Sequence, residues 1–271
     1  MKSAQPISEI IEAIGEAGDR VAGFNGAEGA AGNISVYTSA SLDLEDRFPI
    51  KEEIDLPVPA TALASGFVIV TGSGRRLRDL ARASDACLGV VQIKPGGLTG
   101  TLYTATCREF LRLTSEWNTH LGVHQDRVAL TGVKEHFVVH AQSPNLVFLS
   151  HLATYQDEKF LNQRLLRWEP ETMINLPNGI GVLPYLLPGS KGMMAANVAS
   201  LREHRLSLWG KHGTMARSDD SVGRAVDLIE YAETAAHYEY MDLMTGQHAQ
   251  GLSPQELGVI ARTFNVPTTL Y

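Results

Sequence analysis

The stretch Leu88-Gly89-Val90-Val91-Gln92-Ile93, continued by Lys94-Pro95-Gly96-Gly97 and then by Leu102-Tyr103-Thr104-Ala105-Thr106, decides the fold class. Two apolar runs flank a Pro-Gly-Gly turn, the pattern of paired strands. Further strand-like runs lie at 34–37, 67–70, 137–140, 180–184 and 206–209. Helical spacing separates them. Ile7, Ile10, Ile11, Ile14, Ala17 and Val21 predict an amphipathic helix over 7–23. Other helices are expected at roughly 76–83, 115–125, 144–153, 190–203 and 220–243, and a capping box at Ser253-Pro254-Gln255-Glu256 starts a last one. Interspersed strands and helices make the class α/β. Hairpin-like turns between neighbouring strands favour a central, mainly antiparallel (mixed) sheet flanked by helices on both faces over a doubly wound parallel sheet.

With 271 residues and 44% hydrophobic content, the chain can bury a sizeable core. No linker or low-complexity tract divides it, so one domain over 1–271 is expected. Residues 38–65 carry prolines and acidic groups and read as an irregular excursion. The formal charge is −7 and Lys and Arg form no stripe, which argues against a nucleic-acid partner. No apolar run approaches the roughly 20 residues that span a bilayer. Met1-Lys2-Ser3-Ala4-Gln5 reads as the start of an amphipathic segment, not a signal peptide. Cys87 and Cys107 form no CxxC pair and fit reduced thiols. A cytoplasmic protein without membrane or nucleic-acid partners is expected.

Three segments carry reactive groups: Thr114-Ser115-Glu116, His140-Ala141-Gln142 and Lys211-His212-Gly213. On a strand, residues two apart face the same side, so His140 and Gln142 can converge on one point. His212 ends a second strand and can complete a metal site, since zinc accepts imidazole nitrogen. The plainer reading of each His is a hydrogen-bonded strand end. Gly72-Ser73-Gly74 joins a buried strand to a helix, where backbone N–H groups and the Ser73 hydroxyl can cradle a phosphate. Its plainer reading is a tight turn. Glu116 reads either as a first-turn helix Glu or as an acid/base beside the metal. Glu169 and Glu171 read as loop carboxylates or further acid/base candidates.

Taken in order, these segments resemble the class II aldolase/adducin family across nearly the whole chain, nearest to its rhamnulose-1-phosphate aldolase branch. The carriers are Gly32-Asn33; Thr71-Gly72-Ser73-Gly74 with Arg78-Asp79-Leu80; Thr114-Ser115-Glu116 with His120; His140 with Asn145-Leu146; Leu183-Pro184-Tyr185-Leu186-Leu187-Pro188-Gly189-Ser190; and Leu208-Trp209 with Lys211-His212-Gly213. The resemblance implies a cyclic homotetramer with active sites at subunit interfaces and one Zn²⁺ per subunit. It implies reversible cleavage of a phosphorylated sugar, L-rhamnulose 1-phosphate, to dihydroxyacetone phosphate and L-lactaldehyde. Gly32, Asn33, Ser73, Gly74, Thr114 and Ser115 match substrate- and phosphate-binding positions, and Glu116 the acid/base. His140 and His212 match zinc ligands. Glu171 matches an acidic residue reaching in from a neighbouring subunit. Two positions depart from the pattern: Gln142 stands where the family usually has a third zinc His, and Ala30 where it usually has an Asn. Other metals are then expected to be accepted. A sugar-phosphate epimerase and a non-catalytic, adducin-like interaction module are the alternative readings.

Overall fold

The computed structural model describes residues 7–268 and 270, so the opening Met1-Lys2-Ser3-Ala4-Gln5 segment lies outside the described residues. The isoleucine stripe folds as α1 (Ile7–Gly23), with Ile7, Ile10, Ile11, Ile14 and Val21 buried along one face. β1 (Asn33–Thr38) is buried along its whole length. Residues 38–65 are not wholly irregular. Leu42, Leu44 and Phe48 enter the core, and β2 (Ile50–Asp55) forms an exposed edge strand beyond them. β3 (Phe67–Thr71) is followed by a 3-10 turn at Leu77–Asp79 and then α2 (Leu80–Cys87), so the helix expected over 76–83 starts later. β4 (Leu88–Ile93) and β5 (Thr99–Thr104) make the expected antiparallel hairpin, with the second strand shifted toward the turn.

α3 (Trp117–Thr131) begins after Glu116 rather than at Thr114 or Ser115. The Glu116 side chain makes no capping bond because it is turned toward the site described below. β6 (Glu135–Ala141), α4 (Pro144–Ser150), α5 (Glu158–Leu165) and α6 (Pro170–Asn175) follow, then β7 (Gly181–Leu183) and α7 (Lys191–Glu203). β8 (Leu206–Trp209) and β9 (Gly213–Ser218) are joined by a tight turn, and α8 (Val222–Thr245) follows. α9 (Pro254–Thr263) opens on the full capping box of Ser253 and Glu256.

The strands form one mixed sheet in the order β2-β5-β4-β3-β1-β6-β9-β8-β7. Every pairing is antiparallel except β7 with β8. Period-2 alternation sends side chains to two helical layers. Ile34, Val36, Ile69 and Val139 pack with α1 and α8 in one core. Val68, Val70 and Val91 pack with Leu121 of α3 on the opposite face, where Val138 and Met215 meet Met193 of α7. Both faces are therefore covered by helices, as the strand pattern leads one to expect. Among the described residues no helix is long and apolar enough to cross a membrane. Both cysteines are free thiols, Cys87 buried and Cys107 exposed.

This architecture gathers chain ends at one rim of the sheet. Asn33 at the start of β1 is paired with His140 near the end of β6. The Thr71 hydroxyl at the end of β3 accepts from the Ile34 N–H at 3.3 Å. The β8–β9 turn brings up His212, helped by Lys211 at φ +61°.

Candidate metal centre and substrate cavity

Antiparallel pairing sets the first ligand. His140 points from β6 toward α3 and is almost fully buried. Its Nδ1 lies 2.8 Å from the Thr214 carbonyl, so Nδ1 carries the proton and donates. Nε2 is left with a bare lone pair, the tautomer that a metal ligand requires. Trp209 stacks on this ring at 4.6 Å, and its own Nε1 donates to Asn197 at 2.7 Å. The imidazole is thus held by a carbonyl on one side and an indole on the other. At Gly213 no side chain fits: a Cβ there would lie 2.5 Å from the Ala141 carbonyl oxygen and 2.9 Å from the His140 ring.

Glu116 faces both imidazoles. Its Oε2 is 3.5 Å from His140 Nε2, and its Oε1 is 3.6 Å from His212 Nε2. Ligand atoms of Glu116, His140 and His212 all lie within 4.8 Å of one another. The lone pair of His140 Nε2 and the carboxylate oxygen are both acceptors, so the contact is favourable only with a cation or a proton between them. A tetrahedral ion with bonds near 2.1 Å separates its ligands by about 3.4 Å, which these distances fit. His212 Nδ1 is buried without a hydrogen-bond partner among the described residues, so the ring is free to settle on an ion. The residues present therefore suit a divalent metal with two imidazoles and a carboxylate.

The electrostatics agree. Burial and the neighbouring His140 push His212 down to about 4, which keeps its ring neutral and able to donate a lone pair at neutral pH. Burial of Glu116 opposes its ionisation, but His140, the Asn33 hydrogen bond and His212 outweigh that and hold the carboxyl below the usual range. Asn33 Nδ2 donates to Glu116 Oε2 at 2.9 Å.

The triad lies in a cavity of 220 Å³. Gly72, Ser73 and Gly74 line one part of it, and Thr114 and Ser115 another. The strand-to-loop junction is tied down by Ser73 N–H to the Arg112 carbonyl at 2.9 Å and Thr114 N–H to the Thr71 carbonyl at 3.0 Å. Gly32 closes the floor at φ +79°, and a Cβ there would lie 2.8 Å from Leu77 and 3.0 Å from the His140 carbonyl oxygen. Arg75, next after the Gly-Ser-Gly turn, also lines the cavity and is held by Glu109 at 2.5 Å. It places a positive charge beside the Gly-Ser-Gly turn.

Gln142 lines the cavity, but the strand ends at Ala141 and the Gln142 N–H leaves the ladder to bond the Gly26 carbonyl at 2.8 Å. Its amide end faces the Glu28 carboxylate, and with the NH₂ assigned to that side it donates to Oε2 at 3.3 Å. The carboxylate that faces the two imidazoles is that of Glu116. Glu171 is exposed in the first turn of α6 and does not line the cavity of its own chain. Ala30 lines the cavity. A second, more apolar cavity of 490 Å³ adjoins the first through Gln142 and His212 and is lined by Val147, Phe148 and the exposed His151.

The chain is similar to known proteins along most of its length. Residues 12–240 match the model of the class II aldolase and adducin N-terminal domain. A rhamnulose-1-phosphate aldolase from Yersinia pseudotuberculosis is 30% identical over 241 residues, covering 87% of this chain and 86% of that one. One from Klebsiella pneumoniae is 30% identical over 213 residues, covering 79% and 76%. The solved structure of a sugar-phosphate aldolase from Thermotoga maritima superposes with a TM-score of 0.74 at 26% identity, covering 90% of this chain and 99% of that one. The family match and the identity reach across the sheet, the helices and the site rim, and on that ground this chain belongs to the class II aldolase and adducin family.

Proposed function

We propose that this protein is a metal-dependent aldolase that reversibly cleaves a ketose 1-phosphate, L-rhamnulose 1-phosphate, to dihydroxyacetone phosphate and L-lactaldehyde. The observation that carries the reading is the convergence of Glu116, His140 and His212 at the wall of a cavity that also holds a Gly-Ser-Gly turn. The names of the relatives from Yersinia and Klebsiella support the choice of sugar.

His140 and His212 would hold the metal, with the Glu116 carboxylate beside it. A divalent cation there, Zn²⁺ in the first instance, supplies Lewis-acid stabilisation of the negative charge left on the ketone oxygen when the carbon–carbon bond breaks. No lysine Schiff base is needed. Ser73, Thr114 and Ser115 hydroxyls, with N–H groups around Gly32 and Gly74, bind the phosphate and fix the reacting carbon near Glu116. Glu116 is the acid/base that returns a proton to the carbon of the three-carbon fragment. Asn33 orients that carboxylate. Gln142, engaged with Glu28, sits on the side where the aldehyde half leaves. An exposed Glu171 outside its own cavity fits a residue offered to a neighbouring chain in a homotetramer, acting on the aldehyde half. We place the reaction in the cytoplasm.

The test is product analysis. Metal-loaded protein given L-rhamnulose 1-phosphate should release dihydroxyacetone phosphate and free lactaldehyde in equal amounts. An epimerised sugar phosphate without free aldehyde would replace this reading with the epimerase one. No turnover of any ketose 1-phosphate after zinc is added back would leave an interaction module.

A further inference from the structure

Behind Glu116 runs a chain of buried polar groups that the chemistry above does not use. Asn33 reaches His120, with Nε2 of the ring against Oδ1 of the amide. His120 Nδ1 lies 2.6 Å from the Ser35 hydroxyl, and His124 Nε2 lies 2.7 Å from the same oxygen. His124 Nδ1 is 2.8 Å from His136 Nδ1. Ser35 and the three histidines are each 0% exposed. The chain ends at His136 Nε2, which has no hydrogen-bond partner among the described residues and lies 4.0 Å from Asp219 Oδ1.

Every proton in this chain can be placed by elimination. Burial keeps all three rings neutral, with the guanidinium groups of Arg217 and Arg127 adding to the effect at His136. Each ring then carries one N–H. Asn33 must turn its NH₂ to the Glu116 carboxylate, since an amide oxygen there would face an acceptor. Its Oδ1 therefore accepts from His120 Nε2–H. His120 Nδ1 is then bare and accepts from the Ser35 hydroxyl. Ser35, its proton used, accepts from His124 Nε2–H. His124 Nδ1 is bare and accepts from His136 Nδ1–H, which leaves His136 Nε2 without a proton. Every bond donates toward Glu116, and aligned bonds of this kind strengthen one another in a low-dielectric interior.

We propose that His120 and Ser35, backed by His124 and His136, form a positioning relay that locks the Asn33 amide with its N–H groups on Glu116 and so holds the carboxylate toward the reacting carbon. Without a donor at His120 Nε2 the amide is free to rotate and present its oxygen to Glu116. Without Ser35 the His120 tautomer is no longer fixed. The relay acts through Asn33 and never touches substrate. Its catalytic consequence rests on Glu116 being the acid/base proposed above, whereas the proton placement does not.

Two measurements test it. Neutron diffraction from a deuterated crystal at neutral pD should place deuterium on Nε2 of His120, Nε2 of His124 and Nδ1 of His136. Deuterium on His136 Nε2, or on Nδ1 of His120, would overturn the proposal. Kinetically, His120→Leu should lower kcat by about 10–100-fold, the usual effect of losing an orienting partner, with KM for the sugar phosphate unchanged. His120→Gln, whose NH₂ can take the place of Nε2–H, should restore most of the loss. Equal kcat in the Leu variant and the parent, or no recovery with Gln in a folded protein, would also overturn it. Failure of the parent to cleave any ketose phosphate would count against the functional reading alone, and the deuterium positions would still decide the relay.

Discussion

Glu116→Gln should lower turnover by about a thousandfold, or roughly 4 kcal/mol in the barrier, while metal content and KM stay near their parent values. The substitution keeps the shape of the side chain and an oxygen that can accept from Asn33 Nδ2, now 2.9 Å away. It removes the one proton acceptor in the cavity that faces both imidazoles. His140, held through Nδ1 by the Thr214 carbonyl, and His212 still offer their Nε2 nitrogens to the ion. The phosphate contacts proposed for Ser73, Thr114 and Ser115 do not involve the carboxylate, so binding should persist. Steady-state kinetics with paired metal analysis makes the check. Turnover within a few-fold of the parent would remove Glu116 from the chemistry, and loss of the metal would make it a structural ligand instead.

Acid should destabilise the fold steeply, beginning near pH 6.5. His120, His124 and His136 are all pulled below the ordinary imidazole value by burial, His120 to about 3. In the unfolded chain they titrate near 6.5. Below that value the unfolded state binds more protons than the native one, so stability is full above pH 6.5 and falls as pH drops through it. One unit below, each ring costs about 1.4 kcal/mol, and the three together about 4 kcal/mol, a large share of the stability of an ordinary domain. Urea unfolding of the metal-free protein at pH 7.5 and 5.5 reads this directly, with uptake at the lower pH of about three protons by these rings and about one more by His212. A midpoint unchanged between the two would show that these histidines are charged, or not buried, in the native state.

The sequence revealed most where residue pattern and burial agree. The hairpin of β4 and β5 and the isoleucine face of α1 could be read because one face of each is apolar and the other is not. β2 escaped notice because Ile50-Lys51-Glu52-Glu53-Ile54-Asp55 is a charged edge strand with almost no buried side. β9 escaped for the opposite reason. Thr214, Arg217 and Ser218 are buried, and bonds to the Ala141 and Leu201 carbonyls and from the Asp220 N–H satisfy polar groups that read as surface in a sequence. The imidazoles of His140 and His212 were picked out as strand ends, but strand parity alone favoured Gln142 as their companion. β6 stops one residue earlier and the Gln142 N–H bonds Gly26, so parity along the strand does not carry over to Gln142. The carboxylate that does face them lies 24 residues upstream of His140, brought in by the start of α3. The relay behind it left a fainter trace. His120 and His124 share a helix face at i and i+4, and Ser35 alternates with Ile34 and Val36 on β1. Only the packing of α3 against the sheet brings those two patterns together.

The central claim is that one imidazole from β6 and one from the β8–β9 turn grip one divalent ion beside the Glu116 carboxylate. Anomalous scattering measured above the zinc edge, on crystals grown from metal-replete protein, tests it most directly. One peak per chain is expected, about 2.0–2.2 Å from His140 Nε2 and His212 Nε2, on the side that Glu116 faces. No peak there, with the two rings turned away from each other, would contradict the account.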